Sequence, residues 1–235
     1  PRDRRQRQMC IRDRLYLDVE AALARSQSKL NIIPKEAGEK ITQAAKVDMI
    51  DWEKLEKRTS IVGYPILPLV EQLSEKVEGN FGQFCHWGAT TQDIMDTADV
   101  LQIRKGLELL SKDLKSISDA LEKIVEYHIK TPMAGRTHLQ HALPISFGYK
   151  ASTWLSGIDR HHKRLEEIKE RVFVVSFFGA AGTLASLGED DGLKTQSALA
   201  EELDLNVPDV SWHSIRDNFC EVTGWLAMVA ASLLS

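Results

Sequence analysis

The chain has 235 residues, 43% of them hydrophobic and 27% charged, with a formal net charge of −4 and a pI of about 6.0. That composition belongs to a globular protein long enough to bury a sizeable core. It excludes a global basic field for nucleic acid or acidic lipid, so any anion site must be local.

The first fourteen residues carry six arginines (Arg2, Arg4, Arg5, Arg7, Arg12 and Arg14). Asp3, Asp13 and the lack of serine argue against an organelle transit peptide. The run QRQMCIRDR resembles a translated sequencing adapter, so residues 1–14 are expected to be a non-native leader. From Leu15 to Leu30 the apolar positions Leu15, Val19, Ala22, Leu23 and Leu30 follow a helical period. Pro34 opens a second short helix at its favoured first-turn position. Val47–Lys57 and Pro65–Val77 read as two more, broken by Asn31, Gly63, Pro65 and Gly79. Residues 15–86 are thus expected to form a small N-terminal helical domain.

After Gly88 the character changes. Between Thr91 and Ile129 Gly106 is the main interruption, while Leu101, Leu107, Leu110, Leu114, Ile117, Leu121, Ile124 and Val125 keep an apolar stripe. Such a helix belongs to an extended bundle. Ile145–Arg171 reads as a second long helix, with Trp154, Leu155, Ile158, Leu165 and Ile168 on one face. Val172–Phe178 is β-branched and aromatic, a short strand or an extended segment, and runs into GAAGTLASLG at Gly179–Gly188. Those glycines permit either close backbone approach or a simple turn; without a βαβ unit around them they are not a dinucleotide fingerprint. Gly192–Leu203 is a shorter helix and Ser214 onward a third long one. Residues 87–235 are therefore expected to be part of a helical bundle, cut at Ser235 in mid-pattern as in a fragment. The apolar run Trp225–Leu234 is half of what a membrane span needs and reads as a buried helix. Cys10, Cys85 and Cys220 fit neither a disulfide framework nor a zinc spacing, which points to a reducing compartment, the cytoplasm.

Three constellations stand out. In HWGATTQDIMDT, His86 to Thr97, Thr90-x-x-Asp93 has the form of a capping box, which leaves His86 and the paired threonines Thr90 and Thr91 unexplained. The free N–H groups of a helix terminus also suit an anion. In GRTHLQHALPISFG, Gly135 to Gly148, a loop with a helix starting at Pro144 explains Pro144 and Ser146, but not Arg136, Thr137, His138 or Gln140. No carboxylate or cysteine stands near His138 and His141 at ligand spacing, which disfavours a metal. His161 and His162, among Arg160, Lys163 and Arg164, read as a solvated face. In WHSIRD, Trp212 to Asp217, Arg216 either forms a surface ion pair or grips a carboxylate bidentately. Cys85–His86 is a weak nucleophile pair, since adjacent side chains rarely face each other.

These segments resemble the fumarase/aspartase superfamily. HWGATTQD looks like its first shared region and GRTHLQHALP its second, while GAAGTLASLG and WHSIRD resemble the 3-carboxy-cis,cis-muconate cycloisomerase and adenylosuccinate lyase branches. The resemblance runs from about Leu15 to Ser235. It implies an all-α fold, a homotetramer whose active sites are shared between subunits, no cofactor, no metal, and a small-molecule polycarboxylate as substrate rather than nucleic acid or membrane. The implied reaction is β-elimination or its reverse through an aci-carboxylate, whose developing charge calls for pre-aimed donors. Thr90, Thr91, Asp93, Arg136, Thr137, Gln140 and Arg216 would bind substrate. His138 would act on the leaving group with His86 assisting, a role that suits the pKa of histidine.

Two departures matter. The family's loop Gly-Ser-Ser-x-Met-Pro-x-Lys-x-Asn-Pro, with its proton-abstracting serine, does not occur in these 235 residues, so the chain alone is expected to be inactive. His138 is the residue of the lyases, whereas many cycloisomerases have tryptophan there. The cycloisomerase-like reading therefore stands beside adenylosuccinate lyase, and a non-catalytic, crystallin-like scaffold is the alternative of another class.

Overall fold

The computed structural model describes residues 2–188 and 190–234, with side chains from Arg12 onward. Among these residues the fold is all-α apart from one hairpin. Eight helices run in chain order: α1 (Arg2–Lys29), α2 (Lys35–Ala44), α3 (Trp52–Val62), α4 (Ile66–Lys76), α5 (Thr91–Tyr127), α6 (Phe147–Val172), α7 (Asp191–Leu203) and α8 (Asp217–Leu234). The hairpin, β1 (Pro132–Thr137) and β2 (Gln140–Ser146), lies between α5 and α6.

The chain divides into two compact units. One unit takes the described residues up to Ile103 together with Phe173–Arg216; the other takes Arg104–Val172 and the described residues from Asp217 onward. The break lies inside α5, and the segment after α6 returns to the first unit.

In the first unit α1 is the central helix. It packs on both α2 and α7, so more than one of its faces is buried: Tyr16, Leu17, Val19, Glu20, Leu23, Ser26 and Gln27 are all inaccessible. Of the leader expected over residues 1–14, residues 2–14 belong to this helix, and residue 1 and the side chains of residues 2–11 lie outside the described residues. Asp13 is buried, neither carboxylate oxygen has a hydrogen-bond partner among the described residues, and burial raises its pKa against the pull of Arg12. Val47–Lys57 is not one helix: a 3-10 turn at Val47–Met49 is followed by α3, which Asp51 caps by accepting the Lys54 N–H at 3.0 Å.

Residues 173–178 settle as an extended segment without a sheet, joined to Asn206 by one parallel bridge. Every buried main-chain polar group must find a partner, and here side chains supply most of them. Thr97 Oγ1 both accepts the Ser176 N–H and donates to the Ser176 carbonyl, each at 2.9 Å. Gln196 donates to the Phe177 carbonyl at 2.9 Å and Trp212 Nε1 to the Val175 carbonyl at 3.1 Å. The apolar side chains of Val175 and Phe177 fill the core beside Ile94, Ala98 and Leu199.

In the second unit α6 packs on α8. Trp225 is buried and donates its indole N–H to the His161 carbonyl at 3.0 Å. Arg171 grips Glu221 through two nitrogens, at 2.6 and 2.9 Å. His161 is not on a solvated face: it is 3% exposed, with Nε2 2.8 Å from Ser232 Oγ. Trp225–Leu234 is buried on one side only, since Leu226, Met228, Leu233 and Leu234 are exposed. No helix among the described residues is long and apolar enough to cross a membrane.

Candidate active site

In the first unit the candidate site forms where the turn 85–90 enters α5. His86 sits in the left-handed region at φ +59°, a conformation rare for a residue with a Cβ. Two long-range contacts hold the turn. Glu20 of α1 accepts the His86 main-chain N–H at 3.1 Å and lies 2.6 Å from its Nδ1, while Gln27 donates to the Trp87 carbonyl at 2.7 Å. Gly88, at φ +76°, lets this turn meet the glycine-rich segment: a Cβ there would come within 2.6 Å of the Leu187 side chain. In the glycine-rich segment itself Gly179, Gly182 and Gly188 all turn at positive φ, and Gly182 also lies close to Ser211.

Asp93, expected among the substrate-binding residues, does something else. It is fully buried, and its oxygens are occupied by donors of this chain. Oδ2 accepts from the main-chain N–H of Thr90 (2.9 Å) and Gly179 (3.0 Å). Oδ1 accepts from the Phe178 N–H (2.9 Å) and the Ser176 hydroxyl (3.4 Å), and lies 2.7 Å from His213 Nε2. A carboxylate withdrawn from water must be satisfied in this way. Asp93 is therefore the strut joining the start of α5, the 176–179 backbone and the WHSIRD turn. All of these contacts lie within the first unit.

Arg216 does hold a carboxylate bidentately, and that carboxylate is Asp96. Nη1 and Nη2 meet its two oxygens at 2.8 Å each, Gln92 adds a bond at 2.7 Å, and the guanidinium lies 5.5 Å from the centre of the Trp212 ring. Asp96 is 1% exposed. In this arrangement Arg216 anchors the 212–216 turn to the first turns of α5.

The half-buried side chains left beside this strut are Thr90, Thr91 and His86, and neither threonine hydroxyl has a partner among the described residues. Asp93 and Asp96 are both hydrogen-bonded within the protein, and the half-buried Thr90, Thr91 and His86 side chains can offer donors. Cys85 is no nucleophile here, because burial and the nearby Glu20 charge push its thiol up to about 12.

The second motif lies in the other unit and forms the hairpin. Pro144 does not start a helix; it pairs with Ala134 in β2, and α6 begins at Phe147, where Ser146 Oγ accepts the Tyr149 N–H at 3.1 Å. A two-stranded ribbon has only edges, which tolerate proline. His138 and Leu139 form the two-residue turn, at φ +46° and +63°, in the left-handed sense that matches strand twist. A bulge between Ala134 and Arg136 re-aims the ribbon. Arg136, Thr137, His138 and Gln140 are all exposed. Among the described residues no group of three His, Cys, Asp or Glu side chains could hold a metal ion.

A family model described as lyase matches residues 2–235. The chain belongs to the fumarase/aspartase superfamily. It is 45% identical over 218 residues to trans-aconitate decarboxylase 1 of Mycosarcoma maydis, covering 93% of this chain and 44% of that protein. It is 41% identical over 220 residues to 3-carboxy-cis,cis-muconate cycloisomerase of Pseudomonas aeruginosa, covering 92% and 48%. Among solved structures, the fumarate lyase from Mesorhizobium sp. BNC1 superimposes with a TM-score of 0.90 at 56% identity, over 94% of this chain and 52% of that one. The chain spans about half the length of the curated relatives it matches.

Within this superfamily member, sequence reasoning passed over three residues of the network: Glu20, Asp96 and His213. Glu20 had a signal. It lies four residues after Tyr16 and four before Ala24, on a helix face that is otherwise apolar, and an acid there must have a partner. His213 had none, because its partner Asp93 is 120 residues away in sequence.

Proposed function

We propose that this chain supplies part of the active site of a lyase or cycloisomerase that acts on a polycarboxylate by β-elimination or its reverse, most like 3-carboxy-cis,cis-muconate cycloisomerase. The observation that carries this is that Asp93 and Asp96 are engaged in hydrogen bonds within the protein, while Thr90, Thr91 and His86 stand beside them as a donor surface at the start of α5. An aci-carboxylate intermediate gathers negative charge on one carboxyl group, and donors fixed before the reaction stabilise that charge without reorganising. Thr90 and Thr91 hold one carboxylate. Where different subunits complete each site, the hairpin of another subunit contributes Arg136, Thr137 and Gln140 as further contacts and His138 as the acid that protonates the leaving group. Arg216 acts by fixing the WHSIRD turn through Asp96.

The proton-abstracting base in this reading is the serine of the family's flexible loop, a motif not found in these 235 residues. The assembly is a homotetramer in which different subunits complete each site. The exposed apolar side chains Leu226, Met228, Leu233 and Leu234 on α8 fit that reading, since so much apolar surface on one helix seeks a partner. His138 favours a second reading, adenylosuccinate lyase, because a histidine at the turn suits a leaving group that needs a proton.

The test is turnover. The chain, carried in a protein of its relatives' full length, is offered carboxymuconate, adenylosuccinate, argininosuccinate and trans-aconitate separately. Absorbance change with one of them is expected. No change with any, together with a 235-onward sequence lacking the loop serine, would establish the scaffold instead.

A further inference from the structure

We propose that Glu20 is a positioning residue for the carboxylate site: its buried carboxylate clamps His86 at both the main-chain N–H and Nδ1, so that Nε2–H stands as a fixed donor to a substrate carboxylate. This rests on the carboxylate-site reading above.

The geometry is a two-point grip. Glu20 projects from the middle of α1 with 1% of its side chain exposed, and both its oxygens go to the same residue, Oε2 to the His86 main-chain N–H and Oε1 to Nδ1. The first contact holds His86 at φ +59°; the second fixes the rotation of its ring. A carboxylate only accepts, so Nδ1 carries a hydrogen. Among the described residues Nε2 has no hydrogen-bond partner, and the side chain is one-fifth exposed. With Nδ1 committed as donor, Nε2 is a bare acceptor in the neutral ring and a donor only in the imidazolium. An anionic substrate requires the donor.

Among the described residues the charges that act on the ring are those of Glu20 on α1, in direct contact with it, and Asp93 on α5, and both are carboxylates. Burial of the ring works to lower its pKa. The Glu20 charge and hydrogen bond, with a smaller contribution from Asp93, outweigh it and hold the pKa above the ordinary histidine value. The pair also makes sense from the side of Glu20, since a buried carboxylate without a cation is costly. A histidine biased towards its cation is a poorer proton acceptor and a better anchor. Glu20 therefore assigns His86 to binding rather than to proton transfer.

The decisive measurement uses the unmodified full-length protein. Exchange of histidine C2 hydrogens in D2O across pH, read peptide by peptide by mass spectrometry, reports the pKa of His86 individually. It is expected above the ordinary value of about 6.5, and a value at or below it would overturn the proposal. Glu20→Gln keeps the shape of the clamp and removes its charge. It should lower the His86 pKa by about one pH unit or more, raise KM for the polycarboxylate by about tenfold and leave kcat within about threefold, as loss of uniform binding does. The alkaline limb of kcat/KM should move to lower pH. A fall in kcat with KM unchanged would place His86 in proton transfer and refute the anchor role. If no polycarboxylate is turned over, the functional reading fails, while the exchange data still decide whether the clamp holds His86 cationic.

Discussion

Replacing Asp93 by alanine removes the one acceptor that the start of α5, the 176–179 segment and the WHSIRD turn share. It strands the Phe178 and Gly179 N–H groups, both buried, and that of half-buried Thr90, besides the Ser176 hydroxyl and His213. Each buried donor left unsatisfied costs about 1–3 kcal/mol. The two fully buried N–H groups alone therefore give roughly 2–6 kcal/mol, and we expect a loss of about 4 kcal/mol, a large share of the 5–15 kcal/mol that holds a typical domain together. Asparagine keeps one acceptor for Phe178 but points its amide at donors, so Asp93→Asn should cost about 2–3 kcal/mol. Urea denaturation followed by circular dichroism at fixed protein concentration reads both. With a slope of about 3 kcal/mol per molar, the alanine variant should shift the midpoint down by roughly 1.3 M. A shift below about 0.2 M would show that Asp93 is not the strut described.

Four other outcomes follow from the same structure. His138→Ala should cut kcat by roughly 10²–10⁴ in the full-length protein if the turn histidine is the general acid; an unchanged rate removes it from that role. Leu139 is exposed and sits at φ +63°, so Leu139→Gly should stabilise by about 0.5–1 kcal/mol as strain is relieved against greater chain entropy; a lower melting temperature would contradict this. Arg216→Lys replaces a planar fork by a point charge and should cost about 1–2 kcal/mol, non-additively with Asp96→Asn in a double-mutant cycle; strict additivity would mean that the pair is not coupled. His161 is held neutral by burial first, then by Arg164, Arg160 and His162, so its folded pKa lies below its unfolded value. The unfolded chain then binds more protons. The His161 contribution is present above about pH 6.5 and is lost as pH falls through the folded pKa. Denaturation midpoints of His161→Gln should depend less on pH between 5 and 7 than those of the parent; an equal dependence would exclude His161 as the cause.

Local rules made much of this chain legible in its sequence. The periodic apolar stripes located α1, α5, α6 and α7, and the breakers between residues 31 and 79 marked the short helices. Thr90-x-x-Asp93 showed a helix start, which is where α5 begins. The hairpin stayed hidden because its turn is His-Leu rather than Asn-Gly, and because Pro144 fits an edge strand as well as a first helical turn. His161 stayed hidden because basic neighbours suggest solvent, while Ser232 and Trp225 reach it from 71 and 64 residues away.

By itself, the sequence determined the helical class, the order of the helices, the local character of any anion site and the identity of the polar residues clustered in three motifs. Those properties follow from period, turn chemistry and charge, which act over a few residues. Only the tertiary structure decided which polar groups are consumed within the protein. Asp93 and Arg216, read from the sequence as substrate contacts, lie within hydrogen-bond distance of Phe178, Gly179, His213 and Asp96. Glu20 was one acid in an apolar helix until His86 closed on it. The reason is that a buried charge is assigned its role by its partners, and in this fold those partners lie 66 to 120 positions apart along the chain.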